Sequence, residues 1–158
     1  MAAEGILVGV ISDTHGLLRP EAVQALRGCR TIIHAGDVGD LAILDALREI
    51  APVVAVRGNV DHGPEFDILP ERELITIAGR QICVIHDVAT LGVDPAAAGI
   101  QVVISGHSHV PRIERTQGVL FLNPGAAGPR RFKLPITLAH LTITSDRVEA
   151  QLVALARE

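Results

Sequence analysis

One recurring event narrows what this chain can fold into: a short apolar run stops abruptly at polar residues and a tight turn. Its first instance is Gly5 to Gly16, GILVGVISDTHG. The run Ile6 to Ile11 is short and bounded, so it reads as a buried strand rather than a helix. Ser12, Asp13 and His15 then fall at the strand's carboxyl end, and Gly16 closes the turn. Open α/β sheets place their ligands at that edge. A carboxylate beside an imidazole there suits a hard or borderline divalent metal.

The event repeats along the chain. Arg30 to His34 reads as a second strand and ends in Ala35-Gly36-Asp37; Pro52 to Val56 reads as a third and ends in Arg57-Gly58-Asn59-Val60-Asp61. Two helices are expected between them. Pro20 opens the first, which closes at Gly28, as the Pro-start, Gly-end asymmetry favours. Asp40 caps the second, over Leu41 to Ile50. This β-α-β-α-β order predicts a parallel sheet. The pattern then turns to hairpins: Glu73–Ile77 with Gln81–Ile85, Arg112–Arg115 with Val119–Leu122, and Ile136–Thr144 with Val148–Leu155. A short helix is expected over Ala96–Ala98, and Gln101–Ser105 reads as one more strand. The second hairpin half carries His86-Asp87 and Gly106-His107-Ser108-His109 at its strand ends. A βαβ half followed by a hairpin-rich half predicts two packed sheets with helices outside. No repeat or low-complexity tract interrupts the chain.

Composition limits the function classes. The 158 residues fit one domain, 1–158, with one good core. No apolar run approaches the roughly 18 residues of a membrane helix, and no basic segment precedes the first apolar run. A cytoplasmic location without a membrane partner is therefore expected. A net charge of −4 and an aromatic content of 2% argue against a nucleic-acid partner. Cys29 and Cys83 are expected as two reduced thiols.

Asp13, His15, Asp37, Asn59, His86, His107 and His109 together offer two carboxylates, one amide oxygen and four imidazoles. That is more than one metal needs and suits a pair of metals. The ordered series D-x-H, GD, GN-x-D, H and GHSH resembles the calcineurin-like metallophosphoesterase superfamily. The short length and the NPG…PR loop at Asn123–Arg130 are similar to its small YfcE-type phosphodiesterase branch. The resemblance spans Gly5 to about Arg130. It implies a four-layer α/β/β/α sandwich with two mixed sheets flanked by helices. It also implies that Asp13, His15 and His109 hold one divalent ion, that Asn59, His86 and His107 hold the other, and that Asp37 bridges them. The metal implied is manganese, with iron, nickel, cobalt or zinc as alternatives. The implied activity is hydrolysis of a small phosphodiester by in-line attack of a metal-bridging hydroxide. Such a site stays net positive and attracts phosphate. The rival expectations are a non-catalytic scaffold, as in the small retromer subunit, or a nuclease. Homo-oligomers are also expected of such a family.

The chain departs from its relatives at two points. Val60 stands where larger relatives carry a histidine that meets the substrate or leaving group. Asp87 follows His86 where glycine is usual; it either orients a ligand, approaches a metal or faces water. Other polar residues read more plainly. His34 lies inside an apolar strand and reads as a packed, hydrogen-bonded histidine. His140 reads as structural, and Asp61 and Asn123 as braces of their own loops. His62 and the cluster Arg130, Arg131 and Lys133 read as solvated loops, with a substrate contact as the alternative.

Overall fold

A computed structural model describes residues 5–155; the ends of the expected 1–158 domain lie outside them. Two five-stranded mixed sheets pack face to face. The first contains β1 (Ile6–Ile11), β2 (Thr31–His34), β3 (Val53–Ala55), β9 (Thr137–Ile143) and β10 (Val148–Ala154), in the order β10-β9-β1-β2-β3. The second contains β4 (Arg72–Ile77), β5 (Arg80–Ile85), β6 (Val102–Ile104), β7 (Arg112–Thr116) and β8 (Val119–Asn123), in the order β4-β5-β6-β8-β7. β1, β2 and β3 run parallel, as do β5, β6 and β8. Every expected strand is present, with ends shifted by a residue or two.

Strand alternation decides which side chains meet where. Val8, Val10 and Ile33 of the first sheet face Ile82, Val84, Val102 and Leu120 of the second, and this layer is fully buried. The opposite face of the first sheet carries both helices, α1 (Pro20–Leu26) and α2 (Leu41–Arg48). Pro20 starts α1, and the Asp40 side chain accepts the Ala42 N–H at 2.9 Å to cap α2. Leu26, Leu44 and Leu47 pack with Ile11, Ile32 and Leu138 in that outer layer.

The outer face of the second sheet has a thinner cover. Cys83, Ile85 and Val103 pack under Leu91 and Ile100, from a 3-10 turn at Val88–Thr90 and a turn at 94–100. The helix expected over Ala96–Ala98 does not form. Its hydrogen bonds close a single turn, Ala98 N–H to Asp94 O and Ile100 N–H to Pro95 O. Gly99, at φ +79°, then ends it. One turn is too short to offset helix nucleation. Cys29 and Cys83 are both buried free thiols.

Leu26 is fully buried between α1 and the first sheet. Replacing it with alanine leaves a cavity in a layer with no slack, so Leu26→Ala costs about 2–5 kcal/mol. Urea unfolding should show the lower midpoint with an unchanged slope.

Candidate metal centre

The parallel strands of both sheets bring their carboxyl ends to one edge. The turn after β1 carries Asp13 and His15, the turn after β2 carries Asp37, and the turn after β3 carries Asn59. From the second sheet, β5 delivers His86, and the turn after β6 delivers His107 and His109. Backbone bonds splice these turns together: Asp13 N–H to Gly36 O, His15 N–H to Asp37 O, and Gly106 N–H to His86 O. Gly128 N–H reaches Asp13 O, so the loop after β8 holds the first turn from a further side.

Five of the seven candidate ligands sit at positive φ: Asp13 at 55°, His15 at 45°, Asp37 at 56°, His107 at 73° and His109 at 65°. Side chains other than glycine adopt this region at a cost. Strain collected at one place marks a functional site.

The two aspartates share one arrangement. Asp13 Oδ2 accepts the Ser12 hydroxyl at 2.7 Å and the His107 N–H at 3.1 Å. Its Oδ1 is buried without a hydrogen-bond partner and faces His109 Nε2 at 3.3 Å, His15 Nε2 at 3.7 Å and His86 Nε2 at 3.9 Å. Asp37 Oδ1 accepts the Val60 N–H at 3.0 Å, while its Oδ2 faces His86 Nε2 at 3.2 Å and His15 Nε2 at 3.5 Å. Each carboxylate thus has one oxygen tied to its surroundings and one turned inward.

His86 shows what the inward atoms lack. Its Nδ1–H donates to Ala35 O at 2.7 Å, which leaves a lone pair on Nε2 in the neutral ring. That lone pair points at carboxylate oxygens. A cation relieves the repulsion. His86 Nε2, His15 Nε2 and His109 Nδ1 are buried without hydrogen-bond partners. Without a metal, protons partly fill the role. The Asp13 carboxylate raises the His15 imidazole. Burial lowers the His86 imidazole, but the Asp37 carboxylate and the Ala35 carbonyl more than reverse this. Burial alone would raise the Asp37 carboxyl; the His86 and Val60 hydrogen bonds outweigh it and hold the group well below the usual range. Burial lowers the His109 imidazole. Orphaned inward atoms of this N/O set fit divalent metal.

Two compact groups result, Asp13 with His15 and His109, and Asp13 with Asp37 and His86; within each the candidate ligand atoms lie within 4.8 Å of one another. His107 is in neither group, and Asn59 lies beside it. They pair at the rim, Asn59 Oδ1 to His107 Nδ1 at 3.1 Å, and the His107 ring stands edge-on to His86 with centroids 5.3 Å apart. Asp87 Oδ1 accepts the Ala89 N–H at 3.0 Å, and its Oδ2 lies 3.8 Å from His107 Nε2.

The bracing residues read correctly in the sequence. Asp61 is buried and accepts the N–H groups of Val38, Gly39 and Gly58, clamping two ligand turns together. Asn123 accepts the Gly125 N–H and donates to Gly106 O. His140 Nε2 meets Ala25 O at 2.7 Å. His62, Arg130, Arg131 and Lys133 are exposed, although the charge of Arg131 reaches His15 and His109. Sequence reasoning missed Ser12, Arg57 and Arg72. Ser12 sat at a strand end without a distinguishing pattern. Arg57 and Arg72 line a cavity beside His86 and Asn59, and only pairing across strands brings Arg72 there.

A profile of the calcineurin-like phosphoesterase superfamily domain matches residues 6–146. The chain belongs to the calcineurin-like phosphoesterase superfamily. It is 37% identical to a probable metallophosphoesterase of Methanocaldococcus jannaschii, over 95% of this chain and 82% of that protein. Among solved structures it is similar to an archaeal phosphodiesterase, with a TM-score of 0.79 and 24% identity over 94% of this chain and 99% of that one. It is also similar to wild-type Vps29 of Entamoeba histolytica complexed with zinc, with a TM-score of 0.70 and 24% identity over 95% and 99% of the two chains. This superfamily member is a metal-dependent phosphoesterase.

His34 yields a pH prediction. It is fully buried, its Nδ1 accepts the Gly36 N–H at 3.1 Å, and its Nε2 lies 3.0 Å from Thr14 Oγ1, which itself donates to Val38 O. The neutral ring satisfies this chain, and protonating Nδ1 breaks it. Burial lowers the imidazole from 6.5 to about 4. The unfolded chain therefore takes up this proton first. His34 costs stability progressively as pH falls from 6.5 toward 4, by about 3 kcal/mol. Unfolding measured across that window should be less pH-dependent in His34→Gln.

Gly36 yields a second. It sits at φ +104°, and a Cβ there would lie 2.6 Å from His86 Nδ1. Gly36→Ala should displace His86 from Ala35 O and weaken metal binding about 10–100-fold, as equilibrium dialysis with elemental analysis would measure.

Proposed function

We propose that this phosphoesterase is a binuclear phosphodiesterase. Asp13, His15 and His109 hold one divalent ion, Asn59, His86 and His107 hold the other, and Asp37 bridges them. The observation that carries this reading is the set of buried inward atoms without hydrogen-bond partners, Asp13 Oδ1, His15 Nε2 and His86 Nε2, with His109 Nε2 turned to the same Asp13 oxygen at 3.3 Å. Asp37 suits the bridge because its Oδ2 faces both His15 and His86. The all-N/O donor set suits manganese, the metal the family resemblance implies, with iron, nickel, cobalt or zinc as alternatives.

Bound divalent ions supply positive charge for phosphate oxygens and lower the pKa of water toward neutrality. The chain supplies the rest. The Ala35 carbonyl fixes the tautomer of His86. Ser12 and the His107 N–H fix one oxygen of Asp13, which leaves the other free to coordinate. Asp61 and Asn123 keep the ligand turns in register, so the donors need no reorganisation when substrate arrives. At the rim, Val60 offers no proton to a departing alkoxide. Diesters with good leaving groups are therefore the preferred substrates.

The test compares wild type with Asp37→Asn, loaded with manganese. Wild type should bind two ions per chain and hydrolyse bis(p-nitrophenyl) phosphate with a higher kcat/KM than p-nitrophenyl phosphate. Asp37→Asn should lose one or both ions and on the order of 100-fold or more in kcat. Full turnover by Asp37→Asn would overturn the bridging role, and preference for the monoester would overturn the diester assignment. Two bound ions with no turnover of either ester would favour a scaffold on the same fold.

A further inference from the structure

Beside the centre lies a cavity of about 370 Å³. Asn59 and His86 line it together with Arg57, Glu71, Arg72 and Asp87. Its volume falls within the roughly 300–1,000 Å³ of small-molecule sites. Both arginines are there because of the elements that carry ligands. Arg57 lies two residues before Asn59, and its N–H bonds Pro70 O at 2.8 Å. Arg72 opens β4 and pairs in register with Ile85, the residue before His86.

Neither guanidinium has its charge well matched. Arg57 meets Asp67 at 3.5 Å and Glu71 at 3.9 Å, but those side chains are 75% and 86% exposed. Exposed pairs of this length contribute little and yield readily to a better anion. Arg72 donates to the uncharged Thr90 O at 3.3 Å and has no acidic partner among the described residues. The lining also carries two carboxylates: Glu71, which reaches out to solvent beside Arg57, and Asp87, whose Oδ1 accepts the Ala89 N–H and whose Oδ2 lies toward His107. A guanidinium fork matches a carboxylate or phosphate better than it matches a neutral carbonyl. The single charge of a phosphodiester is taken up at the metal centre. The arginines are then left for another anionic group.

We propose that the Arg57–Arg72 cavity is a second anion subsite, and that the substrates are phosphodiesters with one arm ending in a carboxylate or phosphate. This rests on the phosphodiesterase reading above.

The test uses two pairs of esters on the manganese-loaded full chain. In each pair one arm ends in a carboxylate or in the matching neutral carboxamide. The p-nitrophenyl pair reports turnover. The methyl pair, whose leaving group is poor, reports binding by calorimetry. Wild type should bind the carboxylate methyl ester about tenfold more tightly than the carboxamide, and should show a lower KM for the carboxylate p-nitrophenyl ester. Arg57→Gln and Arg72→Gln should each remove that preference. Arg112→Gln, on the distant edge strand β7, should leave the preference intact. A third arm ending in a phosphate tells the two anions apart by which is favoured. Equal binding of carboxylate and carboxamide esters by wild type, or an unchanged preference in both arginine variants, overturns the subsite. A charge preference that disappears in the arginine variants, without turnover of either p-nitrophenyl ester, upholds the subsite and overturns the diesterase reading instead. Thermal unfolding confirms that each variant is folded.

Discussion

The architecture of this edge depends on one electrostatic conflict. Carboxylate oxygens of Asp13 and Asp37 are turned toward imidazole nitrogens, and the backbone leaves those oxygens no other donor. Ordinary packing would rotate one group away or insert a donor, because a buried polar atom without a partner is costly. Neither happens, since the outer atoms are already committed. Ser12 and the His107 N–H hold one oxygen of Asp13, the Val60 N–H holds one of Asp37, and Ala35 holds His86 by its far nitrogen. The conflict is built in, and a cation resolves it.

Holding that arrangement makes demands on the whole fold. Positive φ at five ligand positions costs on the order of 1–3 kcal/mol each. A flexible loop would relax out of it. These turns cannot, because each leaves the buried end of a strand and is bonded to a neighbouring turn. The links also cross between the sheets: His86 from the second sheet reaches Ala35 in the first, and His107 N–H reaches Asp13. The hydrophobic layer between the sheets therefore sets the distance across which the ligands meet. Stability and site geometry depend on the same packing.

How much of this the sequence disclosed follows from the range of the signals. The strands and their polar ends were legible because each donor lies a fixed short step beyond an apolar run. Asp61 and Asn123 were legible as braces for the same reason, since an Asx side chain in a turn bonds nearby N–H groups. Contacts made across strands were not. Arg72 reads as the first residue of an exposed strand until the β4–β5 register sets it opposite Ile85. Asp87 reads as orienting a ligand, approaching a metal or facing water, and only the fold shows that its Oδ2 lies toward His107, from the turn after the next strand. The failed helix at Ala96–Ala98 is a different error. Alanine favours helix, but Pro95 and Gly99 leave room for one turn only, and propensity does not overcome nucleation at that length.

The fold by itself does not decide between an enzyme and a scaffold, because one architecture can host unrelated functions. The likeness to an archaeal phosphodiesterase and to a Vps29, at 24% identity each, is a likeness of fold. The distinction lies in what the edge costs. A protein that uses this fold only as a docking surface gains nothing from left-handed turns, orphaned buried nitrogens or opposed carboxylates. Relaxing any of them would stabilise it. Here five of the seven donor positions keep the strained conformation, and the inward atoms remain without protein partners. Two arginines then border the adjoining cavity, with only weak or uncharged partners to hold them. Such expense at a single edge is accounted for by chemistry performed there, which is the physical ground for reading this chain as a catalyst.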